Sequence, residues 1–243
     1  DSSQVQLRIC ALAPGATLTP AHFADLWTRV AQKWKDHPGF GGYGLMNEPH
    51  ELPAAGAIVS GGSEDLTIWP TFAQAAIDAI RAVDPVNPIY VGGNQWSSAM
   101  AHATQNPGFP LQRDNLIYEV HMSLDASSAG YAFDYDTEVA KGYSAGLGNV
   151  PIDQDTGVNR LKLATDWATA NGVKLALTEI GMPIDDVRWQ TMFERAVSFA
   201  LQHGVEVYTW MGGAHWTIHN YALNQTAGFH QNETLEPSVS GAL

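Results

Sequence analysis

The sequence predicts an α/β protein built as an incomplete TIM (β/α)8-type barrel, and two observations carry that prediction. Short apolar runs typical of buried parallel strands alternate with amphipathic helices along most of the chain. Polar residues follow nearly every predicted strand, at the end where the functional residues of a barrel collect: Glu48, Asn94, His121, Glu179 and Trp210. An open doubly wound sheet would usually concentrate such residues at one switch point, so we favour the barrel.

Five segments have the composition of buried strands, and a sixth is weaker. They are residues 43–48, 88–92, 115–121, 174–179 and 205–210, with the poorer candidate near 5–12. A complete barrel has eight strands, so three strand–helix units would have to precede the run at 43–48. Residues 1–42 supply one helix and at most one strand. We therefore expect the first units of the barrel to be missing.

Four helices are expected beside these strands, each with one apolar face. The first covers residues 20–36, with Thr19 placed to cap it and Pro20 in its first turn. Its apolar face holds Phe23, Leu26, Trp27, Val30 and Trp34. The other helices cover 70–83, 158–171 and 187–203, and long loops are expected at 50–69, 94–114, 122–157 and 211–243.

Length and charge narrow the possible functions. The 243 residues suit a single domain, residues 1–243, with a sizeable core. Twelve Lys and Arg against 25 Asp and Glu give a net charge of −13, which disfavours nucleic acid and anionic membranes as partners. No apolar run reaches the length of a membrane span, and the single cysteine, Cys10, cannot form an internal disulfide. A neutral substrate fits this composition better than an anionic one.

Two glutamates are the strongest candidates for chemistry, because each follows an apolar run that ends in a turn signal. Glu48 lies in Gly-Leu-Met-Asn-Glu-Pro at 44–49, and Glu179 lies in Lys-Leu-Ala-Leu-Thr-Glu-Ile-Gly at 174–181. One acid that protonates a leaving oxygen and one carboxylate that attacks the sugar, about 5 Å apart, are the minimum for glycoside hydrolysis with retention. Either residue could instead be a carboxylate at a helix start. Their shared position at strand ends favours chemistry.

Four strand ends, taken in order, resemble those of glycoside hydrolase family 5. Asn-Glu-Pro at 47–49 is similar to the family's strand-four motif, and Thr-Glu-Ile-Gly at 178–181 is similar to its strand-seven motif. His121 and Trp210 match the strand-six histidine and the strand-eight tryptophan. The resemblance extends from about residue 20 to about residue 216, and the family's bacterial and fungal endoglucanases fit it best.

The resemblance implies a secreted, retaining endo-β-1,4-glucanase that acts on β-glucan polysaccharide and needs no metal or organic cofactor. Glu48 would be the general acid and base, and Glu179 would be the nucleophile. Asn47 would bind the 2-hydroxyl of the sugar, and His121 would lie beside the nucleophile. Trp210 would form the floor of the subsite in which the cleaved sugar sits.

The sequence departs from the family pattern at three supporting positions. The family carries an arginine on strand two and a histidine on strand three, and no segment before Phe40 offers either in context. Two residues after the strand-six histidine the family commonly has a tyrosine that bonds the nucleophile. Ser123 stands there, and its side chain is too short for the same bond. The seam left by missing strands would be covered by a long loop, by residues 1–19 or by a second copy in a homo-oligomer.

Several alternatives remain open from the sequence alone. Trp96 and Trp216 lie outside helical stripes, which favours sugar stacking over core packing. His121 alone could be a core residue with satisfied hydrogen bonds. The same catalytic pair would also serve a β-mannanase or a xyloglucanase, and a glycan-binding remnant with little catalysis is a further possibility.

Overall fold

The computed structural model describes residues 18–52, 64–183 and 186–210. The chain falls into two compact units. Of the described residues, those up to 97 and those at 104–118 form the first unit, and those at 98–103 and from 119 to 210 form the second.

The first unit consists of two helices and a small parallel sheet. Its elements are α1 (Pro20–Trp34), β1 (Tyr43–Gly44), α2 (Ile68–Arg81), β2 (Ile89–Gly92) and the start of β3 (Leu116–Ser123). β1 runs parallel to β2, with Tyr43 opposite Ile89, and β2 lies between β1 and β3. Helix α1 begins where the sequence predicts, because the Thr19 side chain accepts a hydrogen bond from the His22 amide at 3.4 Å.

An aromatic cluster forms the core between α1 and α2. The Phe23 ring lies 6.1 Å from both the Trp69 ring and the Phe72 ring, and Trp69 Nε1 donates to the carbonyl of Gly92 at 2.6 Å. This bond ties the start of α2 to the end of β2. The predicted apolar face of α1 is wrong at its edges, since Leu26 and Trp34 are 51% and 41% exposed. The helix packs through a narrower stripe that includes Phe23.

The second unit completes β3 and adds three helices and two strands. They are α3 (Tyr135–Ala140), α4 (Thr156–Asn171), β4 (Lys174–Gly181), α5 (Val187–Gln202) and β5 (Glu206–Thr209). β4 lies between β3 and β5, and it runs parallel to β5 with Leu177 opposite Val207. The predicted core residues of α5, Phe193, Ala196, Val197 and Ala200, are all fully buried.

The predicted alternation of strands and helices is therefore present in both units. The described residues hold five strands, as the sequence indicates, against the eight of a full barrel. Helix α3 is an addition, because it lies inside a segment that the sequence predicts as loop. None of the described helices has the length and apolar character needed to span a bilayer.

Candidate active site

Glu48 lies beyond the end of β1 and not within it. The strand was predicted to run through residue 48, but it ends at Gly44, and the Leu45 amide makes a further bond to the Tyr90 carbonyl at 3.2 Å. The predicted strand end is wrong because the backbone then turns, and Glu48 adopts a φ of 46°. Few residues other than glycine take this conformation. It leaves Glu48 half-buried and Asn47 exposed on a loop after the strand.

Trp96 is held close to the same loop. Its amide donates to the carbonyl of Pro49 at 3.2 Å. Its ring stacks on the His50 ring, with centroids 4.5 Å apart and planes at 14°. Three successive residues, Gln95 to Ser97, have φ between 54° and 58°. A run of left-handed residues of this kind persists only where the surroundings enforce it. Trp96 is thus fixed in place although 43% of it is exposed.

Three polar side chains support this loop: Glu64, Gln95 and Asn94. The sequence does not predict the roles of Glu64, Gln95 or His50. Gln95 Nε2 donates to a carboxylate oxygen of Glu64, and burial raises the pKa of Glu64 above its ordinary value. Asn94, which the sequence placed among the polar residues at strand ends, is fully buried. Its side-chain amide donates to the carbonyls of Leu66 and Gln105 at 2.9 Å each. Asn94 therefore holds loops together.

Glu179 lies at an irregularity in the second unit's sheet. Leu177 pairs with Val207 and Ile180 pairs with Thr209. β4 thus advances three residues while β5 advances two, which leaves one extra residue on β4. A bulge of this kind redirects side chains and is common beside functional sites. The Glu179 side chain is 31% exposed, so its carboxylate is reachable from solvent.

His121 lies beside Glu179, as the sequence predicts. Its Nδ1 lies 3.7 Å from Glu179 Oε2, which is too long for a direct hydrogen bond but close enough for a strong charge interaction when the imidazole is protonated. The residue is 8% exposed, and its carbonyl accepts from the Ala99 amide at 3.0 Å. The strand that carries it continues to Ser123, two residues farther than predicted.

The remaining predicted residues occupy different settings. Trp210 follows β5 directly and is half-buried, and its amide donates to the carbonyl of Ile180 at 2.9 Å. Ser123 ends β3, where its main-chain amide and carbonyl both bond to the hydroxyl of Ser128 at 3.1 Å. Trp216 lies outside the described residues.

The predicted residues therefore form two groups, one in each unit. In the first unit Asn47 and Glu48 share a loop that is hydrogen-bonded to the loop of Trp96. In the second unit His121 faces Glu179, and Trp210 extends the same strand pairing by one bond. Both residues lie on strands, which fix their main chains. A carboxylate beside an imidazole in such a setting is suited to act as a nucleophile, which must stay ionised.

Comparison with known proteins identifies the family. The model of the cellulase family, glycosyl hydrolase family 5, matches residues 14–215. The chain belongs to glycosyl hydrolase family 5. The crystal structure of Pseudomonas stutzeri endoglucanase Cel5A in complex with cellobiose has 26% sequence identity and a TM-score of 0.77, over 97% of this chain and 66% of that one. The fold is accordingly the (β/α)8-type barrel of this family, with five strands among the described residues.

Two relatives of the family 5 chain are named as endoglucanases. A manganese-dependent endoglucanase, Eg5A of Phanerodontia chrysosporium, is 31% identical over 127 residues, which is 49% of this chain and 30% of that protein. Endoglucanase 1 of a Robillarda species is 25% identical over 238 residues, which is 92% of this chain and 52% of that protein. The chain thus spans about a third to a half of these two relatives.

Proposed function

We propose that the chain acts as a retaining endo-β-1,4-glucanase with Glu179 as nucleophile and Glu48 as general acid and base. The contact between His121 and Glu179, 3.7 Å from nitrogen to oxygen, is the observation that supports this most directly. An imidazole beside the carboxylate provides a polar neighbour for the ionised form that nucleophilic attack requires. The endoglucanase names of the relatives support cellulose-like substrates, and secretion of the protein stays a prediction.

The proposed reaction has two steps. The Glu179 carboxylate attacks the anomeric carbon while the Glu48 carboxyl protonates the departing oxygen, which gives a glycosyl ester on Glu179. Glu48, now ionised, takes a proton from a water molecule that attacks the same carbon, and the ester bond breaks. The configuration at the anomeric carbon is inverted twice and so retained. Asn47 would bind the 2-hydroxyl, and Trp96 and Trp210 would stack against sugar rings.

Two substitutions with an activated substrate separate the two roles. The dinitrophenolate of 2,4-dinitrophenyl β-cellobioside leaves without protonation. Glu48→Gln should therefore still release a rapid burst of dinitrophenolate, followed by slow turnover. On carboxymethylcellulose, which needs the acid, the same variant should lose about 10²- to 10⁴-fold in kcat. Glu179→Gln should release no burst and show background activity on both substrates, because the ester cannot form.

Azide and product stereochemistry provide a second readout. Azide should rescue Glu179→Gly and yield the α-glycosyl azide, and it should rescue Glu48→Ala and yield the β-glycosyl azide. Glu206→Gln is the matched control, because Glu206 begins β5 at the end opposite Trp210, and it should keep wild-type rates. An α-anomer as the first-formed product of the wild type would contradict retention.

A panel of soluble glycans tests the substrate. The proposal predicts faster reducing-end release from β-1,4-glucan than from β-mannan or xyloglucan. The opposite ranking would favour the mannanase or xyloglucanase alternative. Glycan binding without any release, in wild type and variants alike, would favour the binding remnant.

A further inference from the structure

A buried arginine in the second unit takes no part in the proposed chemistry. Arg160, on α4, has no exposed surface. Its guanidinium donates to four main-chain carbonyls: those of Ser123 at 2.7 Å, Asp125 at 2.8 Å, Ala126 at 3.0 Å and Ala145 at 3.1 Å. The planar fork of an arginine can reach four convergent acceptors, whereas a lysine ammonium offers three donors from one point.

Burying this charge is costly. The penalty for removing a guanidinium from water remains large even after the protein relaxes. Burial lowers the pKa of Arg160 to about 10, and the Asp125 carboxylate opposes this effect. The side chain therefore remains charged at neutral pH, with carbonyls and one carboxylate as its compensation. The four bonds all hold main chain that lies outside α4 itself.

The bonds from Arg160 close a compact loop after β3. Ser123 is joined to Ser128 through both its amide and its carbonyl. The Asp125 carboxylate, 1% exposed, accepts from the Ser127 hydroxyl at 2.6 Å and from the Gly130 amide at 2.9 Å. Three of the Arg160 acceptors, the carbonyls of Ser123, Asp125 and Ala126, lie in this loop. Arg160 thus fixes the point at which β3 ends.

The end of β3 carries the imidazole that faces Glu179. His121 lies two residues before Ser123 on the same strand, so their side chains point to the same face. The His121 carbonyl also accepts a hydrogen bond from the Ala99 amide at 3.0 Å. A shift of the Ser123 carbonyl would therefore carry the imidazole with it and change its 3.7 Å separation from Glu179.

We propose that Arg160 is a positioning residue for this site, which sets the placement of His121 beside Glu179 by gripping the main chain that follows β3. The proposal rests on the proposed function for its catalytic consequence, but its geometric consequence is independent of activity. A misplacement of about 1 Å at a catalytic group can cost about 100-fold in rate.

The kinetic test uses Arg160→Gln and Arg160→Lys with 2,4-dinitrophenyl β-cellobioside, which does not need the acid Glu48. Arg160→Gln should lower kcat by about 10- to 100-fold with little change in KM, because the loop positions a catalytic neighbour and not the substrate. Arg160→Lys, which keeps the charge and some donors, should fall between wild type and Arg160→Gln. Wild-type kcat in folded Arg160→Gln would overturn the proposal.

A matched control separates positioning from stability. Leu161, the next residue on α4, is fully buried, and Leu161→Ala should lower the urea midpoint of unfolding through the cavity it leaves. It should nevertheless keep wild-type kcat at 25 °C. An equal loss of kcat in Leu161→Ala would show that Arg160 acts only through stability and would overturn the proposal.

The NMR signals of the His121 ring give a readout that needs no turnover. They should move in Arg160→Gln and stay in place in Leu161→Ala. If the wild type hydrolyses no β-glucan but the His121 signals still move in Arg160→Gln, the proposed function is contradicted and the positioning role of Arg160 stands. If Arg160→Gln does not fold, Arg160→Lys carries the test, and unchanged kcat with an unchanged His121 spectrum would overturn the proposal.

Discussion

Trp96 combines high exposure with a fixed position. The ring is 43% exposed, yet it stacks on His50 and its amide is bonded to Pro49. Trp96→Ala should raise KM for cello-oligosaccharides up to about tenfold, because an aromatic stacking contact is worth about 0.5 to 1.5 kcal/mol. The kcat should stay near wild type, since the ring would bind ground state and transition state alike. Initial rates across cellotriose to cellohexaose measure both constants.

Trp34 provides the matched control for that prediction. It is also an exposed tryptophan of the first unit, 41% exposed on α1, with the Lys33 ammonium 5.2 Å from its ring. Trp34→Ala should leave KM unchanged. Equal effects of the two substitutions, or no effect of Trp96→Ala, would argue against a sugar platform at Trp96.

The sequence predicts the positions of the candidate residues better than the contacts that hold them. The places of Glu179, His121 and Trp210 at or just after strand ends could be predicted because each ends or follows an apolar run. Glu64 and Gln95 could not, because their hydrogen bond joins loop positions 31 residues apart and follows no periodic pattern. The role of Ser123 as a loop anchor was hidden for the same reason, since it depends on Ser128 and Arg160.

At the level of elements, a buried polar network stabilises the very short β1. The Tyr43 hydroxyl donates to Asp84 at 2.6 Å, and the side-chain amide of Asn87 donates to the same carboxylate at 2.6 Å. Burial alone would raise the pKa of Asp84, but these bonds and two main-chain amides outweigh it and hold the pKa well below its usual range. Tyr43→Phe should lower the free energy of unfolding by about 1 to 3 kcal/mol, because a buried carboxylate loses a donor. Urea unfolding at pH 7 measures this.

The contribution of Asp84 should depend on pH with a definite sign. Its folded pKa lies below the unfolded value of about 4, so the ionised form stabilises the fold fully above about pH 5 and loses this effect as the pH falls further. The gap in stability between wild type and Asp84→Asn should therefore narrow from pH 6 to pH 3. The control is Tyr208→Phe, which removes an exposed hydroxyl contact to Glu206 at 3.2 Å. This substitution should change the free energy of unfolding little. A gap that widens in acid would contradict the assignment.

Helices could be predicted from the sequence more accurately than strand ends. Helix α1 begins at Pro20 and α5 at Val187, as predicted, because caps and apolar periodicity are local signals. The six-residue α3 is too short to show periodicity, although the Asp134 carboxylate that accepts from the Thr137 amide at 2.7 Å is a start signal of the usual kind. The end of β1 was missed because its apolar run continues while the backbone turns.

At the scale of the whole molecule, the fold class could be predicted because strand–helix alternation is a property of the entire chain. The division into two compact units could not. It depends on which segments pack together, and the short piece at 98–103 belongs to the second unit although the residues on both sides of it belong to the first. That piece contains His102, whose burial makes stability depend on pH.

His102 should destabilise the protein in mild acid. The residue is 1% exposed, its ring centroid lies 4.5 Å from that of Trp167 on α4, and burial lowers the pKa of His102 to about 4. An unfolded histidine has a pKa of about 6.5, so the unfolded chain takes up a proton that the folded chain rejects between these values. The contribution of the neutral His102 to the free energy of unfolding is then fully present above about pH 6.5. This free energy falls by roughly 2 to 3 kcal/mol as the pH drops toward 4. His102→Phe should remove this part of the pH dependence.

The measurement is urea unfolding at a series of pH values from 7.5 to 4.5, with His203→Phe as the matched control. His203 caps the end of α5, and its ring lies 4.1 Å from that of Phe199. Because His203 is exposed, the control should lose stability in parallel with the wild type. His102→Phe should lose less, since no buried imidazole must then stay neutral. Parallel loss in all three proteins would mean that other groups govern the acid response.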